Sequence, residues 1–352
     1  MSPIPTSTLL VRGGVVALLA SSATLLYQRW THEPIFVPHP GSLIGRTIVI
    51  TGGTAGLGLE SAKRLAYGGA NVVVTARSVE KGEKAVQAVQ DYLKESNIPD
   101  KPKVSFKVVD LNNLASVKEA ANWDDLEQID VLMNNAGVMG LPELELTKDG
   151  LEKQIQSNHL GHFVLTAVLT PKFSDRARII SVSSEAYKFA RQGILWEYVW
   201  TGSPDYGPWK SYAQSKLANI LFTAELQRRI DDAGKSWKAV ALHPGVVATN
   251  LGRNYFGENL WDRIQADRRT PQWSSHPFQE LGVYFLKLGL NTPVQGATTQ
   301  ILLASGAEES PGLYYAKSKP QKVAEFATDP HAAKRFWKES EELSSVVFEI
   351  SA

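Results

Sequence analysis

The sequence predicts an α/β protein built on one parallel sheet with helices on both faces. Three observations carry this. Short β-branched runs alternate with longer amphipathic stretches, the stretches are long enough for crossovers rather than hairpins, and the first run opens into a glycine-rich turn followed by a helical pattern.

Residues 31–44 read as a linker, because Pro34, Pro38, Pro40 and Gly41 disfavour a helix or a central strand. Thr47 to Ile50 is the first strand, followed by the glycine turn and a helix from about Leu57 to Tyr67. Asn71 to Thr75 is the second strand, and a charged helix runs from Val79 to about Lys94. Val104 to Val109 and Ile129 to Met133 are the third and fourth strands, with a helix from about Thr147 to Leu169 after them. Ala177 to Val182 is the fifth strand, a helix carrying Tyr212 reaches about Ile230, and Trp237 to Leu242 is the sixth. Regularity lapses over 251–292 and returns with a helix at Val294 to Ala304, a strand at Gly312 to Ala316 and a helix around His331 to Leu343. Strands joined this way make a Rossmann-type doubly wound sheet, a single domain over 45–345.

Composition narrows the function. A net charge of +1 on 352 residues gives no reason to expect nucleic acid. The absence of cysteine excludes disulfides, thiolate catalysis and cysteine-bound metal, and no histidine or carboxylate group has metal-site spacing. Residues 1–30 stand apart as a hydrophobic anchor or targeting segment: no acid precedes Glu33, and Gly13 to Tyr27 is apolar. Counted over 9–27, with Arg12 reaching to the head groups, the run nearly spans a bilayer. A signal anchor (in the endoplasmic reticulum or a similar membrane), a cleaved mitochondrial or plastid transit sequence, and a secretory signal or frayed terminus all fit this pattern.

Thr51-Gly52-Gly53-Thr54-Ala55-Gly56-Leu57-Gly58 lies between a strand and a helix. There glycines let the backbone approach a pyrophosphate, whose charge sits at the positive end of the helix. Tyr212 precedes Lys216 by four residues, so both side chains share one helix face, where an ammonium favours a phenolate. Together they suggest proton transfer beside a nicotinamide. After the second strand the chain reads Thr75-Ala76-Arg77-Ser78, with no acid to grip a ribose 2′-hydroxyl; Arg77 suits a 2′-phosphate instead, pointing to NADP(H).

The T-G-x-x-x-G-x-G spacing resembles the short-chain dehydrogenase/reductase family, and the rest of its pattern follows in order over about 45–250: Asp110, Asn134-Asn135-Ala136-Gly137, Ser183-Ser184, Tyr212 with Lys216, and Pro244-Gly245. The resemblance implies a site with Tyr212 as general acid/base, Lys216 also holding ribose hydroxyls, Ser184 donating to the substrate oxygen, and Asn158 supporting a water-linked proton relay. It places Gly52, Thr54, Gly56, Leu57, Gly58, Arg77, Asp110, Leu111, Asn135, Ala136, Gly137, Pro244, Gly245, Val247 and Thr249 around the cofactor. His159, His162 and His243 read as hydrogen-bonded scaffold.

Asn158-His159-Leu160-Gly161-His162-Phe163, Ser215 to Phe222 and His243-Pro244-Gly245-Val246-Val247 resemble the retinol dehydrogenase branch, which implies lipophilic substrates such as retinoids, steroids or long-chain aldehydes. Phe189, Trp196, Trp200 and Trp209 lie between Ser184 and Tyr212, so substrate-side loops at about 188–211 and 251–292 either form an apolar lid or simply pack on the domain. Alternatives are an NADP(H)-binding redox-sensing scaffold without turnover, and a light-driven tetrapyrrole reductase. The sequence is also compatible with a homodimer.

Overall fold

The computed structural model describes residues 35–96, 98, 102–249, 251, 290–308 and 312–351. The elements in chain order are β1 (Thr47–Ile50), α1 (Gly56–Tyr67), β2 (Asn71–Ala76), α2 (Val79–Glu95), β3 (Val104–Val108), α3 (Leu114–Lys118), β4 (Ile129–Asn134), α4 (Gly161–Leu169), β5 (Phe173–Val182), α5 (Pro208–Asp232), β6 (Lys238–His243), α6 (Pro293–Gly296), α7 (Thr298–Ser305), β7 (Tyr314–Ala316), β8 (Lys319–Pro320) and α8 (Pro330–Ser344). They form one sheet in the order β3-β2-β1-β4-β5-β6-β7-β8, parallel except for the β7–β8 pair.

Successive strand residues point to opposite faces, so a sheet covered on both sides must be apolar at both parities. Val49, Val73, Leu132 and Ile179 enter one core with α4, α5 and α8, while Ile48, Ile50, Val72, Val74, Val131, Met133 and Ile180 enter the other with α1, α2 and α7. The chain winds outward from β1 in one direction, returns, and winds outward from β4 in the other. That reversal leaves a crevice outside the carboxyl ends of β1 and β4, the place where such sheets bind ligands.

The expected helix from Thr147 to Leu169 starts later. Gly150 at φ +77° belongs to a closed turn in which the Thr147 amide donates to the Leu151 carbonyl (2.9 Å), and Asp149 is drawn aside to accept from the Leu114 amide (2.9 Å). One helical turn (Lys153–Ile155) follows, with the Glu152 carboxylate accepting from the Ile155 amide, and then a π-helical turn over Gln156–Leu160. The strand β5 begins four residues before the expected Ala177, extended by pairing of Phe173 with Ile129 across a register shift. The helix expected over Val294 to Ala304 is two, α6 and α7, and the short antiparallel β8 was not anticipated.

Candidate active site

Tyr212 and Lys216 lie in the first half of α5, which begins on Pro208, a residue that suits a first helical position. Both side chains are buried. Burial pushes the Tyr212 phenol up to about 12, outweighing the nearby Ser184, which acts in the opposite direction. The Lys216 ammonium donates to the Val182 carbonyl (3.0 Å) and stands 5.5 Å from the Tyr212 ring centroid, and burial lowers its pKa to about 8. The shared face is as the spacing implied, but the titration is not: in the free protein desolvation outweighs any help that the ammonium gives to a phenolate.

The two serines after β5 divide their duties. Ser183 donates its hydroxyl to the Lys216 carbonyl (2.7 Å) and its amide to the Leu242 carbonyl (2.7 Å), which fixes the strand end to α5 and β6. Ser184 is left to face Tyr212, with its Oγ also accepting from the Ala186 amide (3.2 Å).

Asn158 sits in the π-helical turn, a distortion common at functional sites. Its Oδ1 accepts from the Val138 amide (2.8 Å), and its Nδ2 donates to the Val138 carbonyl and to Ser215 Oγ (both 2.9 Å). The side chain thus braces the loop after β4 against α5, and both amide protons are committed within the protein. A side chain on Gly137 would lie 2.9 Å from Asn158 Oδ1 and 3.7 Å from Lys216 Nζ, so the missing Cβ lets these groups close on one point.

The cofactor candidates line the crevice. Gly52 has φ +64°, a region that L side chains rarely adopt, and a Cβ on Gly58 would meet the Gly52 carbonyl oxygen at 2.5 Å and Asn135 Nδ2 at 2.7 Å. Thr54, Gly56 and Leu57 are half-buried, and the N-terminus of α1 has no side-chain cap and no acid in its first turn, which suits a bound pyrophosphate. Asn135 donates from Nδ2 to the Thr51 carbonyl (2.7 Å), and the Asn135 and Ala136 amides donate to Thr51 Oγ1 (2.8 and 2.9 Å). Arg77 is exposed just past β2, with no hydrogen bond or ion pair to another described residue. Asp110 follows β3, its Oδ1 accepting from the Asn112 amide (3.0 Å), and Leu111 beside it is buried. After β6 the chain turns at Pro244 and Gly245 (φ +80°). Val247 then pairs with Asn291, and Thr249 stands against Gly56. These residues fit a dinucleotide laid from Arg77 across the glycine turn toward Tyr212.

Sequence reasoning passed over Gln154 and Gln300, and gave Thr51 and Ser215 no role beyond their place in quoted motifs. Gln154 is fully buried; it accepts from the Gly140 amide (2.9 Å) and donates to Tyr206 Oη (3.1 Å) and the Pro208 carbonyl (3.0 Å), tying the loop after β4 to the start of α5. Gln300 reaches Ser61 Oγ (2.7 Å) and Asn135 Oδ1 (3.3 Å). Their only sequence signal was a polar residue at an apolar helix position. His159 lies among Phe163, Trp200, Phe222 and Phe336, and donates to or accepts from Ser340. His243 Nδ1 accepts from the Glu185 amide (3.3 Å). Burial lowers His159 to about 3 and His162 and His243 to about 4.

The aromatics of the 188–211 loop divide. Trp200 stacks on Phe336 of α8 (4.8 Å, 9°) and donates to Glu339 (2.7 Å), and Trp196 packs toward the same helix under Arg335. Those two anchor the loop to the domain rather than covering the site. Trp209 meets the Tyr212 ring edge-on at 5.8 Å, and Phe189 is 73% exposed. The other loop, including Trp261 and Trp273, lies outside the described residues apart from Leu251 and 290–292.

Known proteins share this arrangement. The family profile for short chain dehydrogenase matches residues 46–196. Human retinol dehydrogenase 14 is 35% identical over 315 residues, covering 86% of this chain and 87% of its own. Short-chain dehydrogenase TIC 32 A, chloroplastic, from Brassica napus is 30% identical, covering 83% and 86%. A crystal structure of an uncharacterised protein from Mycobacterium paratuberculosis superposes with a TM-score of 0.64 at 31% identity, covering 90% of this chain and all of that one. The chain belongs to the short-chain dehydrogenase/reductase family. Within it the chain is retinol dehydrogenase-like, an oxidoreductase of an NAD(P)-binding family that acts on CH–OH groups.

Proposed function

We propose that the protein interconverts a lipophilic carbonyl compound and its alcohol with NADP(H), using Tyr212 as general acid/base. The observation that carries this is the buried Tyr212 phenol, with Ser184 near it and Lys216 one helical turn away, at the crevice beside the glycine turn.

A bound nicotinamide supplies or accepts the hydride. The chain's own residues handle the oxygen. In reduction the Tyr212 hydroxyl gives its proton to the carbonyl oxygen, and the Ser184 hydroxyl donates a hydrogen bond to the same atom as negative charge develops there. A phenol held near 12 in the free protein is fully protonated at neutral pH, which suits the reductive direction. Oxidation needs the phenolate, so it depends on Lys216 and a cationic nicotinamide lowering that pKa once the site is filled. Asn158 holds the Val138 loop and α5 in register, and Lys216 Nζ, near Gly137, is placed to reach ribose hydroxyls.

Arg77 supports the NADP(H) preference, because a guanidinium without a partner among the described residues attracts a 2′-phosphate at this strand end, and the run Thr75-Ala76-Arg77-Ser78 holds no acid to repel one. Support for a lipophilic substrate comes from the names of the retinol dehydrogenase relatives and from Trp209 against Tyr212. Membrane attachment through residues 9–27 is part of the same reading, with a plastid or mitochondrial address as the alternative. That segment lies outside the described residues, among which no helix is long and apolar enough to cross a membrane.

The test is a screen of retinals, steroid ketones and medium-chain aldehydes with NADPH, run beside Tyr212→Phe. The variant is expected to bind NADPH with unchanged affinity and to lose roughly 10²–10⁴-fold in kcat. Full turnover in the variant would remove Tyr212 from its role.

A further inference from the structure

A second recess lies at the opposite end of the sheet from the crevice. It is a cavity of about 630 Å³ lined by Arg46, Asp130, Arg176, Arg178, Lys238 and Gly306, among others. Arg46 immediately precedes β1, Asp130 is the second residue of β4, Arg176 is the fourth residue of β5, Arg178 is the sixth and pairs with Lys238, and Lys238 opens β6. These are the amino ends of the strands, where nothing in the proposed reaction takes place.

The charge is unbalanced. Among the described residues four cationic side chains meet two carboxylates, and both carboxylates already hold partners. Asp130 accepts from the Thr47 amide (2.8 Å), and Glu308, 4% exposed, takes Arg178 (2.6 Å) and Lys238 (2.7 Å) on one oxygen. Among the described residues Arg46 donates only to the Ser305 carbonyl (3.0 Å), and Arg176 has no hydrogen bond or ion pair. Two guanidinium groups are therefore left without a carboxylate in a concave site whose walls concentrate the field. A folded chain does not need this arrangement, because holding like charges together costs stability. A phosphate dianion matches the excess of two charges, and arginine forks match its oxygens.

We propose that this cavity binds a phosphate monoester group. It reaches the cavity as a free anion or on a lipid headgroup. The geometry accommodates the second source: Arg46 immediately precedes β1, and Ile35, Val37 and Ile44 of the described chain before it are exposed.

The experiment titrates the full chain, saturated with NADPH to fill the nucleotide crevice, by calorimetry at fixed ionic strength. The probes are inorganic phosphate, dihexanoyl phosphatidic acid below its micellar concentration, and dihexanoyl phosphatidylcholine. Saturable binding of inorganic phosphate or phosphatidic acid is expected. Arg176→Glu should weaken it at least about tenfold, and Arg176→Gln should weaken it in the same direction. Lys84→Glu, an equal charge change on the exposed face of α2 where Lys84 pairs with Glu80 (2.6 Å), should leave it unaltered. Arg176 is exposed and has no partner among the described residues, so its variants should fold with a thermal midpoint no lower than that of the wild type. Phosphatidic acid binding well above phosphate identifies a lipid source, and equal binding identifies a free anion. The proposal is overturned if neither inorganic phosphate nor phosphatidic acid saturates, if phosphatidylcholine binds as well as phosphatidic acid, or if Lys84→Glu weakens binding as much as Arg176→Glu.

Discussion

Replacing Lys216 with methionine should stabilise the free protein while abolishing turnover. The lysine is buried, with burial alone lowering its pKa from 10.5 to about 8. That lowering corresponds to about 3 kcal/mol against keeping the charged form folded. Methionine has similar length and no charge, and a misfit of up to about 1.5 kcal/mol is the usual cost of such a swap. The Val182 carbonyl is not orphaned, because Asn219 Nδ2 also donates to it (3.1 Å). The net expectation is a gain of about 2 kcal/mol at pH 7. Its pH dependence has a definite sign. Below about 8 the lysine is charged in both states and the whole penalty is present; between about 8 and 10.5 the unfolded chain holds a proton that the native one lacks, so wild-type stability rises; above that window the penalty is gone. Urea midpoints of both proteins at pH 7 and pH 10 isolate this group, since other titrations cancel in the difference. A variant less stable than wild type at pH 7, or an advantage that does not shrink on going to pH 10, would refute the reasoning.

Three further outcomes follow from the site. Arg77→Asp should move the kcat/KM preference from NADPH toward NADH by roughly tenfold or more, since a bidentate partner becomes a repelling charge; an unchanged ratio removes Arg77 from the phosphate. Reduction should fall as pH rises through about 8, where Lys216 loses its proton, while Tyr212, held near 12, stays a competent acid; a kcat/KM profile flat to pH 10 contradicts this assignment. Trp200→Ala should cost roughly 3–5 kcal/mol in chemical denaturation by emptying its stack on Phe336, with turnover per folded molecule little changed. A loss confined to turnover would instead place Trp200 over the substrate.

Much of this was legible in the sequence because the governing rules are local. β-branched runs buried on two faces, a glycine turn between strand and helix, and a tyrosine and lysine one turn apart each carry their geometry with them. The helix boundary at Thr147 failed for a non-local reason: Asp149 is drawn to the α3 amide of Leu114, and Gly150 closes a turn that the apolar pattern does not register. Trp196 and Trp200 were ambiguous for the same kind of reason, since their partner Phe336 lies far along the chain in α8. The titration of Tyr212 could not be read from spacing at all. Proximity to Lys216 is a sequence property, whereas the burial that outweighs it is a property of the whole fold.

The residues that the motif reading left out make the crevice and the proton donor one hydrogen-bonded unit. A backbone carbonyl can only accept, so His162 Nδ1 donates to the Asn158 carbonyl (3.0 Å), and its Nε2 accepts from the Thr51 hydroxyl (2.8 Å). That requires a neutral imidazole, which burial secures by lowering its pKa to about 4. Thr51 Oγ1, its proton given to His162, keeps its lone pairs for the Asn135 and Ala136 amides. From Asn158 the path continues through Ser215 Oγ to the Tyr212 carbonyl (2.8 Å). The glycine turn, the Asn-Asn-Ala-Gly loop, the π-helical turn and the head of α5 are thus held in register by buried polar contacts. In a dry core such contacts are strong when complete and costly when broken. The position of the Tyr212 phenol relative to the crevice is therefore set by side chains that need touch neither cofactor nor substrate.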